Sequence, residues 1–187
     1  MLALIKRFFV ELVNLLFALV IALLVLNLIW TYLAQPFQVE GRSMNPTLYQ
    51  ADHLLMVKHF KLDRFDIIVF PDPMGSDRTF VKRVIGLPGD RLEVKDDQLL
   101  INGIQYSEPY LDLSAKKEEP YTQDFTLWET TGDDFIPAGK VFVMGDNRPH
   151  SGDSRQFGYV DINSIEGEAN FIYLPLDRFG KLQIRQQ

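Results

Sequence analysis

Cysteine is absent from the 187 residues, which removes disulfides, thiolate metal sites and cysteine nucleophiles together. Histidine is scarce and scattered, at positions 53, 59 and 150. There is no HExxH, Walker A loop, GxGxxG or GxSxG elbow, so zinc-protease, P-loop, dinucleotide and α/β-hydrolase chemistries lack their carriers. Charge is missing from one long stretch: 28 positions separate Glu11 from Glu40 without a charged side chain. Residues 1–34 carry Lys6, Arg7 and Glu11, a net of +1, while residues 35–187 carry 17 basic and 24 acidic side chains, a net of −7. Nucleic-acid binding needs a basic footprint, so no nucleic-acid partner is expected. Apolar residues make up 47% and charged residues 24%, the balance of a folded domain rather than a disordered chain.

The charge-free stretch is also the most apolar. Leu12 to Trp30 is interrupted only by Asn14 and Asn27, and as a helix it spans about 28 Å, close to the hydrocarbon thickness of a bilayer. Leu15 to Leu26 is apolar on every face, unlike a core helix with its polar stripe. The run is too long for a cleaved leader, and Tyr32-Leu33-Ala34 offers no small-x-small site. The expectation is a transmembrane anchor over 12–34 behind a cytoplasmic residue 1–11 segment. Lys6 and Arg7 precede the span, and the next basic residue is Arg42. The positive-inside rule then places residues 35–187 on the outer face of the cell membrane, with lipid around the anchor.

After residue 35 no long helical period appears. Short β-rich runs follow instead, at 54–57, 67–70, 80–85, 91–94, 141–144 and 169–174. Asn102-Gly103 between 99–101 and 104–106 is a strong hairpin signal. Closely spaced strands without intervening helices predict a mostly β, antiparallel fold. The polar, acidic stretch from about 107 to 139 reads as an insertion or long loop; counted with the hairpin before it, the insertion runs from about 96 to 139.

Two segments could carry chemistry. In Gly41-Arg42-Ser43-Met44-Asn45-Pro46-Thr47-Leu48, a serine between a glycine and a proline sits on a constrained backbone suited to presenting a nucleophile. An ordinary turn serine would look the same. Lys82 lies inside an apolar β run, where period-two alternation puts it on one face with Phe80 and Val84. On an edge strand such a lysine would simply be solvated. Buried, it must be paired or lose its proton, and a neutral lysine can serve a serine as general base. A triad using His53 or His59 is the other arrangement the residues allow.

Three blocks in order, Gly-x-Ser-Met-x-Pro-Thr-Leu at 41–48, Phe-Val-Lys-Arg-Val-Ile-Gly-Leu-Pro-Gly-Asp at 80–90 and Gly-Asp-Asn-Arg with Ser-x-Asp-Ser-Arg at 145–155, resemble bacterial type I signal peptidases. The anchor before the first block belongs to the pattern, and with one span and a small insertion the chain is similar to compact Gram-positive-like members. The resemblance implies a Ser-Lys serine endopeptidase, free of metal and cofactor. Its Ser43 would be the nucleophile, Lys82 the general base and Ser151 the group that orients the lysine. Asp146, Arg148, Asp153 and Arg155 would support the site. The oxyanion hole would use the Ser43 N–H; some members add a serine hydroxyl two residues earlier, where this chain has Gly41. Pro149-His150 replaces the more usual polar pair. Phe37, Val39, Met44, Leu48, Phe80 and Val81 would line shallow pockets for small side chains, giving cleavage after small-x-small sites. The implied partners are signal-peptide-bearing preproteins, with secretion machinery nearby.

A lysine neutral near pH 7 requires a fall of roughly three pKa units from its ordinary value, about 4 kcal/mol. An apolar strand face, a hydrogen-bonding Ser151 and no adjacent carboxylate are expected to supply it. A self-cleaving repressor with the same dyad would need a DNA-binding domain where this chain has an apolar span. A non-catalytic peptide-binding β module would have lost Ser43, Lys82 or the third block, and all are present.

Overall fold

A computed structural model describes residues 2–111 and 120–182. Helix α1 (Leu2–Tyr32) is exposed at every described side chain from residue 4 onward, so none of the described residues buries it. Residues 4–32 alone run about 44 Å at 1.5 Å per residue, longer than the apolar core of a bilayer. The helix ends against the body: Lys58 donates from its backbone N to Leu33 O (3.0 Å) and from Nζ to Thr31 O (2.9 Å).

The body is antiparallel β, as the strand spacing predicts. Its strands are β1 (Ala34–Gln38), β2 (His53–Val57), β3 (Ile67–Pro71), β4 (Thr79–Gly86), β5 (Leu92–Lys95), β6 (Gln98–Ile101), β7 (Ile104–Tyr106), β8 (Phe125–Thr126), β9 (Lys140–Met144), β10 (Val160–Asp161), β11 (Gly167–Leu174) and β12 (Gly180–Lys181). Two short helices, α2 (Leu127–Thr131) and α3 (Ser154–Phe157), complete it. The larger sheet runs β1-β2-β11-β3-β4-β9-β10, with β12 on β11; the smaller runs β7-β6-β5-β8. Asn102 and Gly103 both have positive φ (54° and 78°), the geometry a two-residue hairpin between β6 and β7 requires. The expected loop over 107–139 contains β8 and α2; residues 112–119 lie outside the described residues.

Strand β1 did not stand out in the sequence because it contains Pro36. It is the edge strand of the sheet, the place where a missing N–H is tolerated. Strand β3 is buried on both faces: Ile67 and Val69 join a core with Val39, Met44, Leu48 and Val81, while Ile68 and Phe70 join Val84, Val141, Val143 and Val160. The first of these cores ties down the loop after β1. Met44 and Leu48 are its buried pegs, one helical turn apart, bridged by a Leu48 N–H to Met44 O bond of 2.9 Å.

Candidate active site

Ser43 stands on that loop. Gly41 has φ +83, a left-handed backbone that glycine adopts without strain. A side chain there would meet open space but a strained backbone, which accounts for glycine where a serine donor could stand. From across the fold, Asn147 donates its backbone N–H to Ser43 O (2.9 Å) and its side-chain amide to Arg42 O (3.0 Å). The main chain at Ser43 is thus clamped from the far side.

Strand β4 brings up the lysine. Lys82 is 4% exposed, and its Nζ lies 2.8 Å from Ser43 Oγ and 3.1 Å from Val81 O. The ring of Phe80, on the same face, sits 5.1 Å from the nitrogen. Burial lowers the Lys82 pKa from 10.5 to about 8, against the opposing pull of Asp153 and Asp146. The expectation of no nearby carboxylate is therefore corrected: two buried carboxylates act on the amine, and desolvation outweighs them. None of the three histidines lines this cleft; His53 instead packs its ring against Tyr173.

The supporting charges form a buried frame. Asp146 is fully buried and takes a two-pronged grip from Arg83, Nε to Oδ1 at 2.9 Å and Nη2 to Oδ2 at 2.6 Å, while Thr47 Oγ1 also donates to it. Arg83 reaches Phe65 O (2.8 Å), and its guanidinium lies 3.9 Å from the Tyr110 ring centre. Arg148 is 1% exposed; it donates to Gly145 O (3.1 Å), Thr122 Oγ1 (3.2 Å) and both carboxylate oxygens of Glu108. Asp153 accepts from Gly145 N (3.0 Å) and from Arg155 Nε and Nη2 (both 2.8 Å), and Arg155 also reaches Arg148 O. All four expected supports are in this frame.

Ser151 is different. Lys82 bonds Ser43 and Val81, and no bond to Ser151 is made; Ser151 Oγ is buried without a partner among the described residues. It packs on Gly145, whose missing side chain leaves room for it: a Cβ there would stand 2.2 Å from Ser151 Oγ and 2.4 Å from Ser43 O.

A cleft of about 340 Å³ opens at the dyad, lined by Phe37, Val39, Met44, Phe80 and Val81 together with Gly41, Ser43, Lys82, Gly152 and Gln156. Leu48 is the exception to the expected lining: it is fully buried in the core and supports the wall from behind. Strand β9 pairs with β4 only from Arg83 onward, so Thr79–Lys82 keeps an unpaired flank along the cleft.

Comparisons with known proteins place the chain in a family. The family described as "Signal peptidase, peptidase S26" matches residues 12–174. A signal peptidase I of Bacillus caldolyticus is 48% identical over 150 residues, 76% of this chain and 81% of its own. Signal peptidase IB of Staphylococcus aureus is 34% identical over 179 residues, 90% and 93% of the two chains. A crystal structure of a signal peptidase I from Enterococcus faecalis superposes with TM-score 0.55 and 50% identity, covering 58% of this chain and 97% of that one. The chain belongs to the S26 signal peptidase family. It is a serine peptidase of the signal peptidase I type.

For this signal peptidase, the sequence reading missed four residues in and around the frame. Arg83 follows Lys82 in a strand, so its side chain faces the other way, and two adjacent charges in an apolar run already implied two buried partners. Asn147 and Gly145 lie inside the third block, but their roles depend on contacts with residues some 100 positions earlier. Glu108 had no local signal.

Proposed function

We propose that the chain is a membrane-anchored endopeptidase that removes signal peptides from exported preproteins, with Ser43 as nucleophile and Lys82 as general base. The observation that carries this reading is the 2.8 Å contact between Lys82 Nζ and Ser43 Oγ in the wall of a cleft. With a pKa of about 8, roughly a tenth of the lysine is neutral at pH 7, enough to act as a base near neutrality. The neutral amine takes the Ser43 proton as Oγ bonds to the scissile carbonyl carbon. The C–N bond then breaks, and the lysine hands that proton to the departing amine. Water, deprotonated by the same lysine, releases the acyl group. The Ser43 N–H is the candidate donor to the oxyanion. Ser151 is assigned the orienting role on the resemblance; its hydroxyl has no competing partner among the described residues.

An extended substrate adds along the unpaired flank of β4, bonding mainly through its backbone. Phe37, Met44, Phe80 and Val81 leave shallow space beside it, which suits cleavage after small-x-small sequences. Helix α1 crosses the membrane in lipid, with Lys6 and Arg7 on the cytoplasmic side, so the cleft lies outside, where preproteins emerge from the secretion machinery.

The test is incubation of the purified protein with a labelled preprotein in detergent, followed by N-terminal sequencing of the product. One cut after a small residue is expected, lost in Ser43→Ala and in Lys82→Ala and kept in His53→Ala, His59→Ala and His150→Ala. A folded histidine variant as inactive as Ser43→Ala would overturn the dyad.

A further inference from the structure

Ser151 Oγ is 94% hidden at the residue level and makes no hydrogen bond among the described residues. A hydroxyl withdrawn from water without a partner is unfavourable. Ser151 also forms part of the wall of a second cavity, about 340 Å³, with Tyr121, Gln123, Phe125, Pro149 and Gln156. The catalytic cleft lies on the other side of the same short stretch, where Gly152 and Gln156 line it. Gln156 borders both openings, so they meet there. The second cavity also starts beside the nucleophile, because Ser151 Oγ and the Ser43 carbonyl crowd one point over Gly145.

A peptide substrate must leave Ser43 in two directions. Its acyl side has the cleft along Thr79–Lys82. Its amine side takes a proton from Lys82 Nζ and therefore departs from the lysine end, past Gly152. An extended chain advances about 3.3 Å per residue, and Gln156 lines both the cleft and the second cavity on that side.

We propose that the second cavity is a binding site for the first residues on the leaving side of the scissile bond, held as an extended polar peptide. This rests on the peptidase reading above and names the part of the substrate that reading leaves without a place. Gln123 and Gln156 offer amides that donate to and accept from a peptide backbone, and Tyr121, Phe125 and Pro149 offer flat faces. The charged groups at the site are already committed: Arg155 is paired with Asp153, and Asp124 Oδ1 accepts from Asp96 N at 2.9 Å. The site therefore selects for an extended polar backbone rather than for one sequence, as an enzyme releasing many different proteins requires.

The experiment uses full-length protein in detergent and peptides with one fixed acyl side, followed by one to five residues after the scissile bond. In the wild type kcat/KM should rise about tenfold from the shortest to the longest, because remote binding energy is used in the transition state. Gln123 is exposed, lines the second cavity alone and belongs to no catalytic contact. Gln123→Trp should fill the site, leaving cleavage of the shortest peptide and the melting temperature unchanged while removing most of the gain with length. Normal cleavage with no length dependence in the wild type, or the same dependence in Gln123→Trp, would overturn the proposal. Failure of the wild type to cleave any of the peptides would instead overturn the peptidase reading beneath it.

Discussion

Replacing Gly145 by alanine adds a single methyl group to the least forgiving point of the site. The new Cβ would stand 2.2 Å from Ser151 Oγ and 2.4 Å from the carbonyl oxygen of Ser43. Ordinary contact begins near 3.4 Å, so something must move by about 1 Å. Ser151 can rotate, but the Ser43 carbonyl is backbone and is held at 2.9 Å by Asn147 N. Gly145 cannot retreat easily either, since its N–H is bonded to Asp153 and its carbonyl to Arg148. The displacement therefore falls on the nucleophile loop. A misplacement of about 1 Å costs on the order of a hundredfold in rate, and overpacking costs about 1–3 kcal/mol in stability. We expect Gly145→Ala to fold, to melt several degrees lower, and to lose about a hundredfold in kcat with KM little changed. Steady-state cleavage of a fluorogenic peptide alongside thermal melting measures both. A Gly145→Ala enzyme within about twofold of wild-type kcat would refute the close approach of Gly145, Ser43 and Ser151.

The pH dependence follows from the lysine. Only the neutral amine accepts the Ser43 proton, so kcat/KM should rise with pH through about 8; a flat profile between about pH 6 and 9 would show that Lys82 is not the base. The same shift makes Lys82 a liability to the fold. Its folded pKa lies below 10.5, so burying the ammonium is most unfavourable below about pH 8 and the loss fades as the pH approaches 10.5. Lys82→Met should accordingly be inactive yet melt no lower than wild type at pH 7, as differential scanning calorimetry would register. Glu108→Ala should act in the opposite way on stability, stranding the buried Arg148 guanidinium at a cost of about 3–5 kcal/mol, and urea denaturation would read it directly.

What the sequence revealed was local. Alternation through residues 80–85 put Lys82 on an apolar face, and Asn102-Gly103 fixed a hairpin by its own backbone preferences. Pairings between distant segments were out of reach: the Arg83–Asp146 grip spans 63 positions, and the Asn147 clamp on Arg42 spans 105. Glu108 illustrates the limit, because an acidic residue in a polar stretch carries no mark of burial until Arg148 is folded against it. Leu48 shows the reverse error. Nearness in sequence to Ser43 suggested a pocket wall, while its helical-turn spacing from Met44 sends it into the core.

Strand β11 lies between β2 and β3, although β2 and β3 are neighbours in the sequence. One flank of the last long strand holds the half of the sheet that leads from Ser43, and the other flank holds the half that carries Lys82. Ser43 and Lys82 both precede residue 167, and although side chains pack between the two halves, the backbone ladder between them runs through β11. A chain lacking β11 would thus keep both residues but lose the ladder that helps to set them 2.8 Å apart.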